Sequence, residues 1–298
     1  MSTGDTFYEL GESMSGPCAD IIKSCAIAIA APAMTFGLSV QSLATSIYMN
    51  QCNPGDMIKA GGAWIKLAEK NWEALEALEE QTDLVNDDNW KGDDSEAFKG
   101  ASRNVGLQLG EMAVTASLIG VQLIALGAAL TIFWGFLLAC TVVMDAFLVA
   151  YLAAYAGVVT AAGAESIRAS CLTVATSLCA TVKSLETAMT SISTGCAALT
   201  GGLAGFTFGF QKSTGNPVSP LDIAGSGLTN MLVGLGTYVE RALTMTPAGR
   251  HADVTPGAAF FHGAQSQGGF GLINAGGDLL FEHGPDAIQD PDEIEWTE

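Results

Sequence analysis

Between Met112 and Met144 the chain carries no charged residue, and after the lone Asp145 none appears until Glu165. A helix that crosses a bilayer takes about 20 mainly apolar residues. The run has room for two such helices, Val114 to Phe136 and Leu138 to Ala162, meeting near Trp134-Gly135. Lys99 and Arg103 before it, with Arg168 and Lys183 after it, would leave both ends on the cytoplasmic side by the preference of basic residues for that side. Asp145 would then mark a pore or a partner contact, because a carboxylate within a span is costly. The soluble alternative is the core of a long helical bundle. Alanine, glycine, serine and threonine recur through the run, and small residues let helices approach closely in water as well as in lipid.

The run grows out of a helical hairpin. On its N-terminal side Trp64, Ile65, Ala68, Trp72, Leu75 and Leu78 recur at three and four, with Lys66, Lys70, Glu73, Glu76, Glu79 and Glu80 between them. That is an amphipathic helix. Asn53, Pro54 and Gly55 supply turn chemistry before it, and Asp56 a cap. The pattern restarts at Ala97, Phe98, Ala101, Val105, Leu109 and Met112, behind the helix-starting Asp93, Asp94 and Ser95. A polar break from Asn86 to Asn89 and then Trp90-Lys91-Gly92 join the two. Trp64, Ala68, Trp72, Leu75, Phe98 and Val105 are the expected hairpin interface. Gly92 is expected to allow a tight turn and Trp90 to anchor it as a large apolar group.

These residues resemble the Trp-x-Gly family of small helical proteins exported by type VII secretion systems in Gram-positive and actinobacterial cells. Trp90-Lys91-Gly92, the acid-rich Asp93-Asp94-Ser95-Glu96, the pair Ala97-Phe98, and Asn53-Pro54-Gly55-Asp56 opening a helix with Trp64 carry the resemblance, over about residues 54–132. It implies an interaction protein secreted or held in the cell envelope, whose partners are the type VII machinery or a small helical protein. Tyr8 and Glu12 match in letters the family's Tyr-x-x-x-Glu export signal. In the family that signal follows the second hairpin helix, whereas here it precedes the hairpin.

Of 298 residues 49% are apolar and 14% charged, with 31 acids against 12 bases. A net charge of -19 and the lack of a basic cluster exclude nucleic acid as a partner. Seven cysteines, with no Cys-x-x-Cys and no metal-ligand spacing, read as buried free thiols.

The expected fold is all-α: an elongated helical hairpin or bundle with a Trp-x-Gly turn, long apolar helices and a disordered acidic tail. Residues 1–17 read as a mobile polar lead, acidic and without the basic start of a secretory signal. Residues 18–52 read as apolar helices kinked at Pro32, which removes one hydrogen-bond donor. The hairpin and bundle core is assigned to 53–200, with its apolar run at 112–164. Its later part, from Glu165, has Ile167, Cys171, Val174, Leu178, Val182, Leu185, Met189 and Ile192 on one face. At Gly201-Gly202, followed by Gly205 and Gly209, a break is expected, so 201–245 reads as a glycine-rich segment and one more helix. Residues 246–298 are rich in glycine and proline, and eight acids without a base fall between Asp278 and Glu298. Such a tail buries too little apolar surface to offset its chain entropy.

No constellation of nucleophile and base emerges, and no cofactor or catalytic residue is assigned. The histidines His251, His262 and His283 fall at spacings that match no zinc pattern. The chain therefore reads as a non-enzymatic type VII substrate acting through protein or membrane contacts. The alternatives are a membrane-inserting or pore-forming protein built on 112–162, and a helical assembly subunit, including a homo-oligomer.

Overall fold

The computed structural model describes residues 2–85, 90–158 and 161–215. Among them every regular element is helical. In chain order they are α1 (Thr3–Ala28), α2 (Ala30–Phe36), α3 (Leu38–Met49), α4 (Pro54–Asp83), α5 (Asp93–Ala153), a π-helical turn (Ala154–Val158) and α6 (Ala161–Ser213). They form two compact units, the first from 2–18, 54–85, 90–131 and 195–215, the second from 19–53, 132–158 and 161–194. The expected glycine-rich helix and acidic tail beyond 215 lie outside the described residues, as do the three histidines.

In the first unit glycine sets the packing. Along α1 and α4, Gly4 lies against Lys66, Gly62 against Tyr8, Gly11 against Lys59 and Gly55 against Ser15, so the two helices run antiparallel. A Cβ added at Gly11 would stand 2.2 Å from the Lys59 amide nitrogen, and one at Gly62 would stand 2.3 Å from that of Tyr8. Only bare backbone permits that approach. On another side of α4, Gly61 meets Gly120 of α5 and Gly127 meets Ile58. Farther along, Gly106 receives the Leu75 side chain. Ala113 and Ala116 continue this buried edge of α5. Glycine costs a helix stability through its chain entropy, and close packing repays that by adding many short dispersion contacts.

The lead expected to be mobile is therefore a helix laid along α4. Single-sequence reading missed it because its seam is made of Gly4 and Gly11 rather than of large apolar residues.

In the second unit large side chains do more of the packing. Cys25, Ile29, Phe36, Val40, Leu43 and Ile47 from the N-terminal helices, with Phe133, Leu137 and Met144 of α5, are buried. From α6 come Cys171, Ala175, Val182 and Met189. Polar groups fix the register. Trp134 Nε1 donates to the Cys52 carbonyl at 3.1 Å, Tyr48 Oη donates to the Ala26 carbonyl at 2.8 Å, and Asn50 Nδ2 donates to Glu186 Oε1 at 3.0 Å.

The expected kink at Pro32 becomes two interruptions. Pro32 has no N–H for the Ala28 carbonyl, and α1 ends at Ala28. Gly37, with φ 84°, separates α2 from α3. Two further expectations are corrected. No turn occurs at Trp134-Gly135, because Trp134 is buried and hydrogen-bonded inside an uninterrupted α5. No break occurs at Gly201 either, since α6 continues to Ser213. There Thr200 Oγ1 donates to Gln122 Oε1 at 3.3 Å and Thr207 Oγ1 donates to Glu111 Oε1, tying α6 to α5 within the first unit. Phe206 and Phe210 stack at 6.2 Å, one helical turn apart. Their period is helical, not the period of two that the alternating phenylalanines suggest.

Candidate interaction surfaces

The residues that lead into α5 form a compact helix start. Gly92 has φ 106°, a conformation open to glycine and strained for L side chains. Its carbonyl accepts from the Ser95 amide at 3.0 Å and the Glu96 amide at 3.2 Å, so Gly92 closes the first turn of α5. Asp93, Asp94 and Glu96 occupy that turn, where the positive end of the helix dipole favours carboxylates. Trp90 packs its ring on Phe98 at 5.4 Å. Both rings remain part-open to solvent, so this pair is surface as well as anchor. Ser95, in contrast, is buried.

The residues expected at the hairpin interface lie in different surroundings. Ala68 is buried, Trp64 is half-buried, and Leu75 meets Gly106. Trp72, Phe98 and Val105 are exposed, and this corrects their assignment to the interface. Along the seam of α4 and α5 glycine faces either bare backbone, as Gly61 and Gly120 do, or one large side chain, as Gly127 faces Ile58 and Gly106 faces Leu75. The signal that could have shown this is glycine at intervals of seven: Gly4 and Gly11, Gly55 and Gly62, Gly120 and Gly127.

A second surface lies along α1 and α4. Lys66 Nζ pairs with Asp5 Oδ1 at 2.9 Å, and Lys59 pairs with Glu12. Between them the Tyr8 ring lies 5.2 Å from Lys59 Nζ and 5.1 Å from Lys66 Nζ, within cation–π range. The Gly4 amide donates to Glu69 Oε1 at 3.1 Å, and Ser15 Oγ donates to Asp56 Oδ1 at 2.5 Å. The hydrogen bonds that Lys59 and Lys66 donate to Glu12 and Asp5 push their ammonium groups above the usual lysine range. Tyr8 and Glu12 thus hold α1 on α4.

The third surface is the charge-free run itself. It is apolar on every side, and the fold covers only part of it. In the first unit Val114, Leu118 and Val121 face outward; in the second, Ile132, Val142 and Val149 do, each more than 60% exposed. Asp145 is half-buried. Two helical stretches, Thr3–Phe36 and Asp93–Ala156, are long and apolar enough to cross a membrane.

Among the described residues no group of histidine, cysteine and carboxylate side chains is placed to hold a metal. All seven cysteines are free thiols. Burial raises the Cys179 thiol, which donates to the Ser39 carbonyl at 3.1 Å. Compared with known proteins, the chain matches no family model, no curated protein and no solved structure.

Proposed function

We propose that the chain is a helical substrate of type VII secretion that works by contact with other proteins or with a membrane, and not by catalysis. The observation that carries this reading is the start of α5. A Trp-x-Gly triplet stands where an amphipathic helix gives way to a second one, its glycine in the left-handed region and its tryptophan on the phenylalanine six residues after Gly92. A helix start with two part-exposed aromatic rings offers a rigid, low-entropy contact for a partner. The reading is tested by expressing the chain in an actinobacterial cell with and without a working type VII ATPase and assaying the culture filtrate. Release that depends on the ATPase and on Trp90 and Gly92 supports it. Equal release without the ATPase overturns it.

The exposed apolar surface of α5 favours a second reading, insertion into a membrane. Lipid is one environment in which Ile132, Val142 and Val149 lose contact with water. Stable association with vesicles that survives a carbonate wash supports insertion, and a monodisperse chain that stays with the soluble fraction speaks against it.

A further inference from the structure

We infer that the junction of α2 with the end of α5 is where the chain meets a membrane, and that its partner there is the headgroup layer of an electrically neutral bilayer. The inference rests on the membrane reading and names the part of the second unit that touches lipid first. Phe36 of α2 packs edge-on against Tyr151 of α5 at 5.5 Å, and Tyr151 packs against Tyr155 at 5.7 Å. Around these rings large apolar side chains turn outward. Met34 is 79%, Leu38 74%, Leu152 55% and Tyr155 71% exposed. Scattered exposed apolar groups need no explanation, but a gathered group marks a contact surface.

Three observations independent of that exposure point to lipid. The two helical stretches long and apolar enough to cross a membrane are Thr3–Phe36 and Asp93–Ala156. The contact of Phe36 with Tyr151 brings their last turns together, so both stretches deliver their ends to this one place. Next, no charged residue falls between Ser24 and Gly55 or between Ala146 and Ala164. Both segments that build the junction are therefore neutral in a chain of net charge -19. Anionic headgroups are held by clusters of lysine and arginine, and these segments carry none, which leaves neutral headgroups as the match. A second copy would instead bring another -19 against this one. Last, the side chains and the backbone suit the depth. Tyrosine rings, apolar with a polar tip, settle at the level of the headgroups. Helix ends leave backbone groups that water or headgroups must satisfy, and the end of α2, the start of α3 and the end of α5 all lie here.

The test is flotation of the full chain with phosphatidylcholine vesicles, with circular dichroism as the check on folding. The wild type should float with the vesicles. Met34→Lys, Leu38→Lys and Tyr155→Lys, at positions too exposed to disturb the fold, should each weaken partitioning about tenfold. Tyr155→Trp, which keeps an interfacial ring, should retain it. Leu67→Lys, on an exposed position of α4, should leave it unchanged, and adding phosphatidylserine at low salt should weaken it. A wild type that never floats overturns the membrane reading and this inference with it. Flotation that survives the lysine variants overturns the inference alone, as does flotation that Leu67→Lys weakens equally or that phosphatidylserine strengthens. A second copy as the occupant would show as a dimer in lipid-free buffer that the same lysine variants dissolve, and that result also overturns it.

Discussion

Gly61 of α4 and Gly120 of α5 each press against the other's carbonyl oxygen: a Cβ on Gly61 would stand 2.7 Å from the Gly120 oxygen, and a Cβ on Gly120 would stand 2.8 Å from the Gly61 oxygen. Neither neighbour is a flexible side chain that could turn aside. Gly61→Ala or Gly120→Ala should therefore force the helices apart and cost about 1–3 kcal/mol, read as a lower midpoint in chemical denaturation. Gly16→Ala is the opposite case. Nothing lies within 4 Å of that position on α1, but Pro17 follows it and disfavours helical backbone at a preceding residue with a Cβ, so alanine should change the midpoint little.

The Trp134 indole is buried and donates to the Cys52 carbonyl. Trp134→Phe should keep most of the packing while removing this hydrogen bond, a loss of about 0.5–1.5 kcal/mol. Thermal unfolding followed by circular dichroism checks it. An unchanged midpoint would mean that the hydrogen bond contributes nothing.

Gly92 stands at φ 106°. Gly92→Ala should strain the start of α5 by about 1–2 kcal/mol and loosen the stacking of Trp90 on Phe98. Hydrogen exchange in the first turns of α5 should speed up while α6 stays protected. Trp90→Ala should leave the turn in place, because the carbonyl of Gly92 makes its bonds without the ring.

The Tyr8 clasp has a direction in pH. The ammonium groups of Lys59 and Lys66 are raised by the hydrogen bonds they donate to Glu12 and Asp5. A lysine whose folded value lies above its unfolded one adds stability that is fully present below the ordinary lysine range and is lost as pH climbs through the raised value. The docking of α1 should accordingly weaken in strong alkali, and also in acid, where Asp5, held below the usual carboxylate range by the hydrogen bond from Lys66, takes up its proton. These groups are solvent-exposed, so the effect should be small and reduced by salt. Comparing melting at rising pH for the wild type and Lys66→Met checks this, since the variant should have lost part of the alkaline drift.

Much of the helical content was legible because apolar residues at three and four locate helices whatever they pack against. The α4 pattern from Trp64 to Leu78 falls inside Pro54–Asp83, and the pattern restarting at Ala97 falls inside Asp93–Ala153. The interfaces were much less legible. A periodic face was assigned by its large residues, and Trp72, Phe98 and Val105 proved exposed, because small residues bring these helices closest. For the same reason a glycine-rich stretch from Gly201 to Gly209 read as a helix break and is in fact a continuous helix. Glycine in a chain marks either a turn or a close approach, and local composition does not separate the two.

What the sequence by itself determined is the all-helical character of the described chain, the two helical patterns that fall inside α4 and α5, and a charge-free run too long for ordinary exposure. These follow from local periodicity, turn chemistry and the cost of apolar surface in water. Tertiary structure alone decided that Tyr8 and Glu12 clasp α1 to α4, that Trp134 lies inside an unbroken α5, and which glycines are covered. Those outcomes depend on which backbones meet at less than side-chain distance. That meeting joins residues far apart in the chain, as Gly11 joins Lys59 and Gly61 joins Gly120, and no local pattern records it.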